Sequence, residues 1–172
     1  KSNHPMNGNL TESILNVCKI LQKHSVQYLI AGGTAVALHG YLRMSLHSSG
    51  LPADKYDLDF WYNPVYDNYF NLLNALEELG QDVTEFKDEI APNPKKSFFR
   101  LEFEKFTLDF LPELSGLGKF SVSFNEREKV NLGGTEISFI SYDDLIKNKE
   151  LNARDKDIKD IEQLKIIRSK KK

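Results

Sequence analysis

Apolar positions recur at helical spacing in "NLTESILNVCKILQKH", residues 9 to 24. Ile14, Val17, Cys18 and Leu21 fall on one face, and Asn9 with Glu12 has the spacing of a capping box, so an amphipathic helix is predicted. The pattern then changes. "VQYLIAGG" is a short apolar run ending in two glycines, the mark of a buried strand entering a tight turn, and "TAVALHG" reads as a short helix closed near Gly40. "SLHSSGLPA", residues 45 to 53, is loop by composition. "KYDLDFWY", residues 55 to 62, has strand character. In "NPVYDNYFNLLNALEELG" a helix is predicted with Asn63 as its cap, Pro64 in its first turn and Gly80 as its stop. Tyr69, Phe70, Leu73 and Leu76 are its core positions.

Beyond Gly80, "DVTEFKDEI" reads as a weak strand and "APNPKK" as a turn. "SFFRLEFEKFTLDFLPEL" predicts a hairpin folded about Glu104-Lys105, and "KVNLGGTEISFIS" a second one turning at Gly133-Gly134. "SGLGKFSVSFNERE" has no decisive periodicity. "SYDDLIKNKELNA" and "DKDIKDIEQLKIIRS" predict two closing helices, and the final "KKK" a solvated tail. Helices and strands alternate early and hairpins come late. The expected fold class is therefore α/β or α+β, a mixed sheet flanked by helices with further helices at the C-terminus.

Composition adds a few limits. The chain has 172 residues, 40% of them hydrophobic and 28% charged, which suits one globular domain over 1–172, with a core at 27–112 and a C-terminal hairpin and helices at 128–168. A formal net charge of −2 gives no overall electrostatic case for a nucleic-acid or anionic-membrane surface. The longest apolar stretch, "YLIAGGTAVALHGYL", is broken by glycines and His39 and is too short to span a bilayer. A single cysteine, Cys18, excludes an internal disulfide, and with no signal-peptide pattern at the start the expected location is cytoplasmic.

The chemistry concentrates in "KYDLDFWY". Side chains alternate along a strand, so Asp57 and Asp59 face one way while Tyr56, Leu58 and Phe60 face the other. Two like charges side by side call for a cation, and Mg²⁺ favours hard oxygen ligands. A bare D-x-D is also compatible with a helix cap beside an exposed carboxylate. "FTLDFLP" sets a third carboxylate, Asp109, between apolar neighbours. If that strand lies beside the first, three carboxylates can gather around one or two cations, the arrangement of a phosphoryl-transfer site. "IAGGTA" offers phosphate donors. Gly32 and Gly33 let backbone N–H groups approach an anion, and the Thr34 hydroxyl adds another donor; a plain tight turn fits the glycines as well. Neither a Walker A nor a G-x-G-x-x-G motif is present.

Taken in order, "AGGTAVALHGYLR", "KYDLDFWYNP" and "FTLDFLP" resemble the nucleotidyltransferase fold of the DNA polymerase β superfamily. In that superfamily an apolar residue precedes G-[GS], D-x-D follows on the next strand, and one later Asp sits on another. The chain looks most like small bacterial nucleotidyltransferase-like proteins, AbiEii-type toxins among them, and "DLIKNKELNARDKDIKDIEQL" is similar to their closing segment. The resemblance implies transfer of a nucleoside monophosphate from an NTP to an acceptor hydroxyl, with Mg²⁺ (or Mn²⁺) as cofactor. Asp57, Asp59 and Asp109 would be catalytic and bind the metal, with Asp109 a general base. Gly32 and Gly33 would hold the triphosphate, with Arg43, Lys149, Arg154 and Lys156 near the nucleotide or acceptor. The acceptor would be tRNA, a protein or a small molecule, and a cognate antitoxin protein a possible partner. This chain departs from the pattern in its longer segment between Arg43 and Asp57, in Gly33 where Ser is common, and in Tyr56 ahead of the Asp pair.

Other readings stand beside this one. A catalytically inactive nucleotide- or partner-binding module would keep the fold without turnover, and a metal-dependent phosphohydrolase would use the same carboxylates. Lys149, Arg154 and Lys156 fit equally well a solvated helix face paired with Asp155, Asp157 and Asp160. The four histidines have no metal-ligand spacing. His39 reads as a structural hydrogen-bonder, Cys18 as a small core residue, and Ser48-Ser49-Gly50 lacks a nucleophile-elbow context.

Overall fold

The computed structural model describes residues 10–41 and 56–171. Six strands form one mixed sheet: β1 (Tyr28–Ala31), β2 (Tyr56–Tyr62), β3 (Phe99–Glu102), β4 (Phe106–Leu111), β5 (Glu128–Leu132) and β6 (Thr135–Phe139). Their spatial order is β3-β4-β2-β1-β6-β5. The two predicted hairpins, β3–β4 and β5–β6, occupy the two flanks. Between them β2 pairs parallel to β4, β1 antiparallel to β2, and β1 parallel to β6. Parallel neighbours need a long crossover, and the chain between β2 and β4 supplies it with α3 (Tyr66–Glu78), a short α4 (Thr84–Lys87) and the β3 strand.

Helix α1 (Leu10–Lys23) buries Ile14, Val17, Cys18 and Leu21, as its periodicity predicts, and packs on α3 and β6. Asn9, its expected cap, lies outside the described residues. The core is aromatic-rich, with Phe60, Trp61, Tyr62, Tyr69, Phe106 and Phe110 fully buried. Helix α2 (Gly32–Val36) contacts β2 and runs on into a π turn, Ala37–Tyr41, which ends near Gly40. The closing helices are α6 (Tyr142–Asn152) and α7 (Asp155–Lys170). They pack on each other, and α7 also meets the π turn, so the C-terminus returns to the segment that follows β1.

Local differences from the predicted elements have local causes. Helix α3 begins at Tyr66, with Val65 as its cap, rather than after Asn63. Asn63 is taken up by Gln27 instead: its backbone N–H donates to the Gln27 carbonyl (3.2 Å) and its Nδ2 to Gln27 Oε1 (2.8 Å), prolonging the β1–β2 pairing. The stop is where expected, with Gly80 at φ 98°. Phe70 is 40% exposed, and Leu72 takes the core position beside Leu73. The weak strand after Gly80 is the short helix α4, whose start is fixed by Asp82 accepting from the Thr84 N–H (3.0 Å) and hydroxyl (2.7 Å). The ambiguous segment contains α5 (Phe120–Asn125), anchored by Phe120 edge-on against Trp61 at 5.2 Å. Its other aromatic, Phe124, lies under the Arg127 guanidinium at 3.7 Å. Among the described residues, no helix is long and apolar enough to cross a membrane.

Candidate active site

The site grows out of strand register. Asp59 on β2 lies directly beside Asp109 on β4, and Asp57 lies beside Thr107. Alternation puts Asp57 on the same face as Asp59, so three carboxylates share one patch of the sheet. On the far side of β4, Arg100 of β3 is in register with Asp109. At one height the row therefore runs Arg100, Asp109, Asp59, Ala31. Each position has a different local environment. Asp57 is exposed and accepts a short hydrogen bond from the Thr107 hydroxyl. Asp59 is half-buried, and Asp109 is buried.

Asp109 has an internal partner. The Arg100 guanidinium holds it in a fork, Nε to Oδ1 at 2.7 Å and Nη2 to Oδ2 at 2.8 Å. Asp59 has no hydrogen bond or ion pair among the described residues. Its carboxyl is pushed up to about 6, chiefly by burial, then by the charges of Asp109 and Asp57; Lys149 and Lys156 oppose the shift.

Gly32 closes the patch from the β1 side. It opens α2 directly after Ala31, with no separate turn, and does so at φ +62°. A Cβ built there would collide with the Asp59 carboxylate oxygen Oδ2, so both the backbone angle and the close approach require glycine. Gly33 is exposed with open space around it, and Thr34 is buried at the next position.

Next to Asp59 and Gly32 lies a cleft of about 170 Å³, whose other wall includes Glu113, Asn148, Lys149 and Arg154. Lys149 is almost fully buried, and its Nζ bridges Asp157 (3.1 Å) and Asp160 (2.9 Å). Arg154 donates through Nε to Asp157 Oδ2 (2.7 Å) and through Nη2 to Oδ1 (3.3 Å). Burial alone would raise Asp157, but the bonds from Arg154 and Lys149 outweigh it and hold the carboxyl at about 2. The same two basic residues thus face the cleft and fasten α6 to α7. Lys156 is exposed and reaches Asp59 through its field. Arg43 and the 45–53 loop lie outside the described residues. His39 donates through Nε2 to the Ile140 carbonyl (2.9 Å) and its ring packs edge-on against Phe139, a structural contact, and Cys18 is buried.

Among the described residues, no group of three or more His, Cys, Asp or Glu side chains is arranged to hold a metal ion. The residues still fit a divalent cation of the Mg²⁺ kind. Such an ion takes one or two protein carboxylates and completes its shell with water and substrate phosphates. Asp57 and Asp59 are hard oxygen donors on one face, and burial beside two other carboxylates disfavours the bare charge of Asp59, which a cation would relieve.

Sequence reasoning did not identify Arg100, Thr107 or Asn148. A signal for Arg100 was present, because a hairpin folded about Glu104-Lys105 sets residue 100 opposite residue 109. The other two depend on the β2–β4 pairing and on the packing of α6, which no local pattern encodes.

The architecture is a nucleotidyltransferase fold. It is similar to the crystal structure of the lincosamide antibiotic adenylyltransferase LnuA in its lincomycin-bound form, with a TM-score of 0.51 and 16% sequence identity, over 90% of this chain and 95% of that one. No family model matches the chain, and no curated protein matches it in sequence.

Proposed function

We propose that the protein is a Mg²⁺-dependent nucleotidyltransferase that moves a nucleoside monophosphate from an NTP to an acceptor hydroxyl. The observation that carries this reading is the register of β2 and β4, which sets Asp109 beside Asp59, against which Gly32 packs from the β1 side. Asp57 and Asp59 would hold the cation, which when bound supplies charge neutralisation for the phosphates. Gly32, Gly33 and Thr34 would receive the triphosphate, with Arg43, Lys149, Arg154 and Lys156 supplying positive charge around it. The acceptor oxygen bonds to the α-phosphorus while the bond from that phosphorus to the α,β-bridging oxygen breaks. Pyrophosphate leaves with the bridging oxygen, and the hydroxyl proton passes to a carboxylate of the row, the role proposed for Asp109. The protein's share is alignment and electrostatics.

A small-molecule acceptor is supported by the modest size of the cleft and by the lincomycin-bound state of the LnuA structure. A tRNA or protein acceptor, and a cognate antitoxin as partner, rest on the motif resemblance to AbiEii-type proteins. A second reading, a nucleotide- or partner-binding module without turnover, is favoured by one feature: both oxygens of Asp109 are already bonded to Arg100.

The test is a thermal-shift series with ATP, GTP, CTP and UTP, each with and without Mg²⁺, on wild type and on an Asp57→Asn/Asp59→Asn variant. The expected result is a Mg²⁺-dependent rise in Tm for at least one nucleotide, lost in the variant. A folded wild type that responds to none of the four contradicts the transferase reading and leaves a module that binds a partner rather than a nucleotide. Stabilisation without pyrophosphate release across an acceptor screen selects the second.

A further inference from the structure

The carboxylate row carries its own cation. Arg100 is one of the strand residues on β3, its side chain about half exposed, yet it makes a two-pronged bond to a carboxylate only 7% exposed. The bond is geometrically well made, with both contacts under 3 Å and the two residues in register across an antiparallel pair. Behind the guanidinium, the Phe98 ring lies 5.7 Å from its centre and limits where it can swing. Asp57 also adds to the field that holds the guanidinium in place. Asp109 thus has a charged donor on each oxygen, whereas Asp59, its neighbour at the same height, has no hydrogen bond or ion pair among the described residues.

We infer that Arg100 is a tethered cation that occupies Asp109 in place of a metal ligand bond, so that the resting site offers a divalent ion only Asp57 and Asp59. The inference rests on the metal-binding part of the proposed function. It makes Arg100 a positioning residue, acting through Asp109. The fork takes one acceptor site on each oxygen of Asp109 and fixes a positive charge beside the remaining ones, so a metal ion approaching this carboxylate meets the guanidinium's charge. Asp109 becomes available when Arg100 finds another planar or tetrahedral anion, and a phosphate oxygen pair is the partner of matching geometry. The site would then be half assembled at rest and completed by its own anionic substrate.

The experiment uses Mn²⁺ alone, without nucleotide, on the full chain. Affinity is followed by electron paramagnetic resonance of free Mn²⁺, and the number of metal-bound waters by the deuterium echo modulation in D₂O. Wild type, Arg100→Gln, Asp109→Asn and the double variant are compared, with Arg100→Lys as a conservative control and the Tm of each as a check on folding. The expected pattern is a roughly tenfold tighter site in Arg100→Gln with one bound water fewer, reversed in the double variant, while Asp109→Asn leaves the wild-type water count unchanged. Arg100→Lys, with a point charge in place of a fork, falls between. Tighter binding in Arg100→Gln with no change in bound waters would mean that Arg100 acts only through its charge, and would overturn the inference. So would a gain of a bound water in Asp109→Asn, since Asp109 would then already be a ligand. No Mn²⁺ bound by any of the proteins would overturn the metal site itself, and the proposed function with it.

Discussion

At Asp59 a carboxylate lies half-buried beside two others, with a glycine backbone pressed against it. Nothing in the packing of a sheet rewards this. Burial and like charge together push its proton affinity up to about 6, so the folded protein binds a proton more readily than the unfolded chain, where the ordinary value is 3.8. The sign follows from linkage. Stability is unaffected by this group below about pH 4, declines as pH rises toward 6, and stays lower above that. In the absence of divalent cations, Asp59→Asn is therefore expected to be more stable than wild type at pH 7.5, by about 2 kcal/mol, and about equal to it near pH 4. Urea unfolding in EDTA at the two pH values checks this. A variant less stable than wild type at pH 7.5 would show that Asp59 has a stabilising partner inside the protein.

At the scale of elements, the closing helices are joined by charge as much as by apolar contact. Lys149 of α6 is buried against Asp157 and Asp160 of α7, and Arg154 shares Asp157. Asp157→Ala leaves the buried Lys149 with Asp160 alone and takes the carboxylate from Arg154, so it is expected to destabilise the fold by about 2 kcal/mol. With Asp157 held at about 2, its contribution is fully present above about pH 4 and is lost as pH falls through 2, which an acid titration followed by circular dichroism would register in wild type. A cost under about 0.5 kcal/mol would mean that the apolar contacts of Leu145 and Leu164 carry the helix pair instead. These elements also show what a sequence discloses. Helix α1 and both hairpins were legible because period and turn residues agree over many positions. The start of α3 was not, because Gln27, distant in sequence, takes Asn63 away from the cap; the short α4 was not, because its one turn rests on a two-residue Asp82–Thr84 contact too brief to set a period. Asp57, Asp59 and Asp109 could be singled out as candidates, since carboxylates amid apolar residues break the local pattern. The engagement of Asp109 by Arg100, and of Lys149 and Arg154 by Asp157, depends on which strands and helices become neighbours.

For the whole molecule, the central strands bring residues from three distant parts of the chain to one patch. Gly32 follows β1, Asp57 and Asp59 lie on β2, and Asp109 on β4. Helices α6 and α7 meet α2 and the π turn, which brings Lys149 and Arg154 to the wall of the same cleft. The similarity to LnuA covers 90% of this chain and 95% of that one. The central claim is that this patch carries a divalent cation with a nucleoside triphosphate. Its most direct test is a crystal structure with Mn²⁺ and an α,β-methylene analogue of the nucleotide that stabilises the protein most, with the metal located by its anomalous signal. The account predicts an anomalous peak between Asp57 and Asp59 and the triphosphate against Gly32 and Gly33. A nucleotide bound elsewhere, or no metal at the two aspartates when the analogue is present, would contradict it.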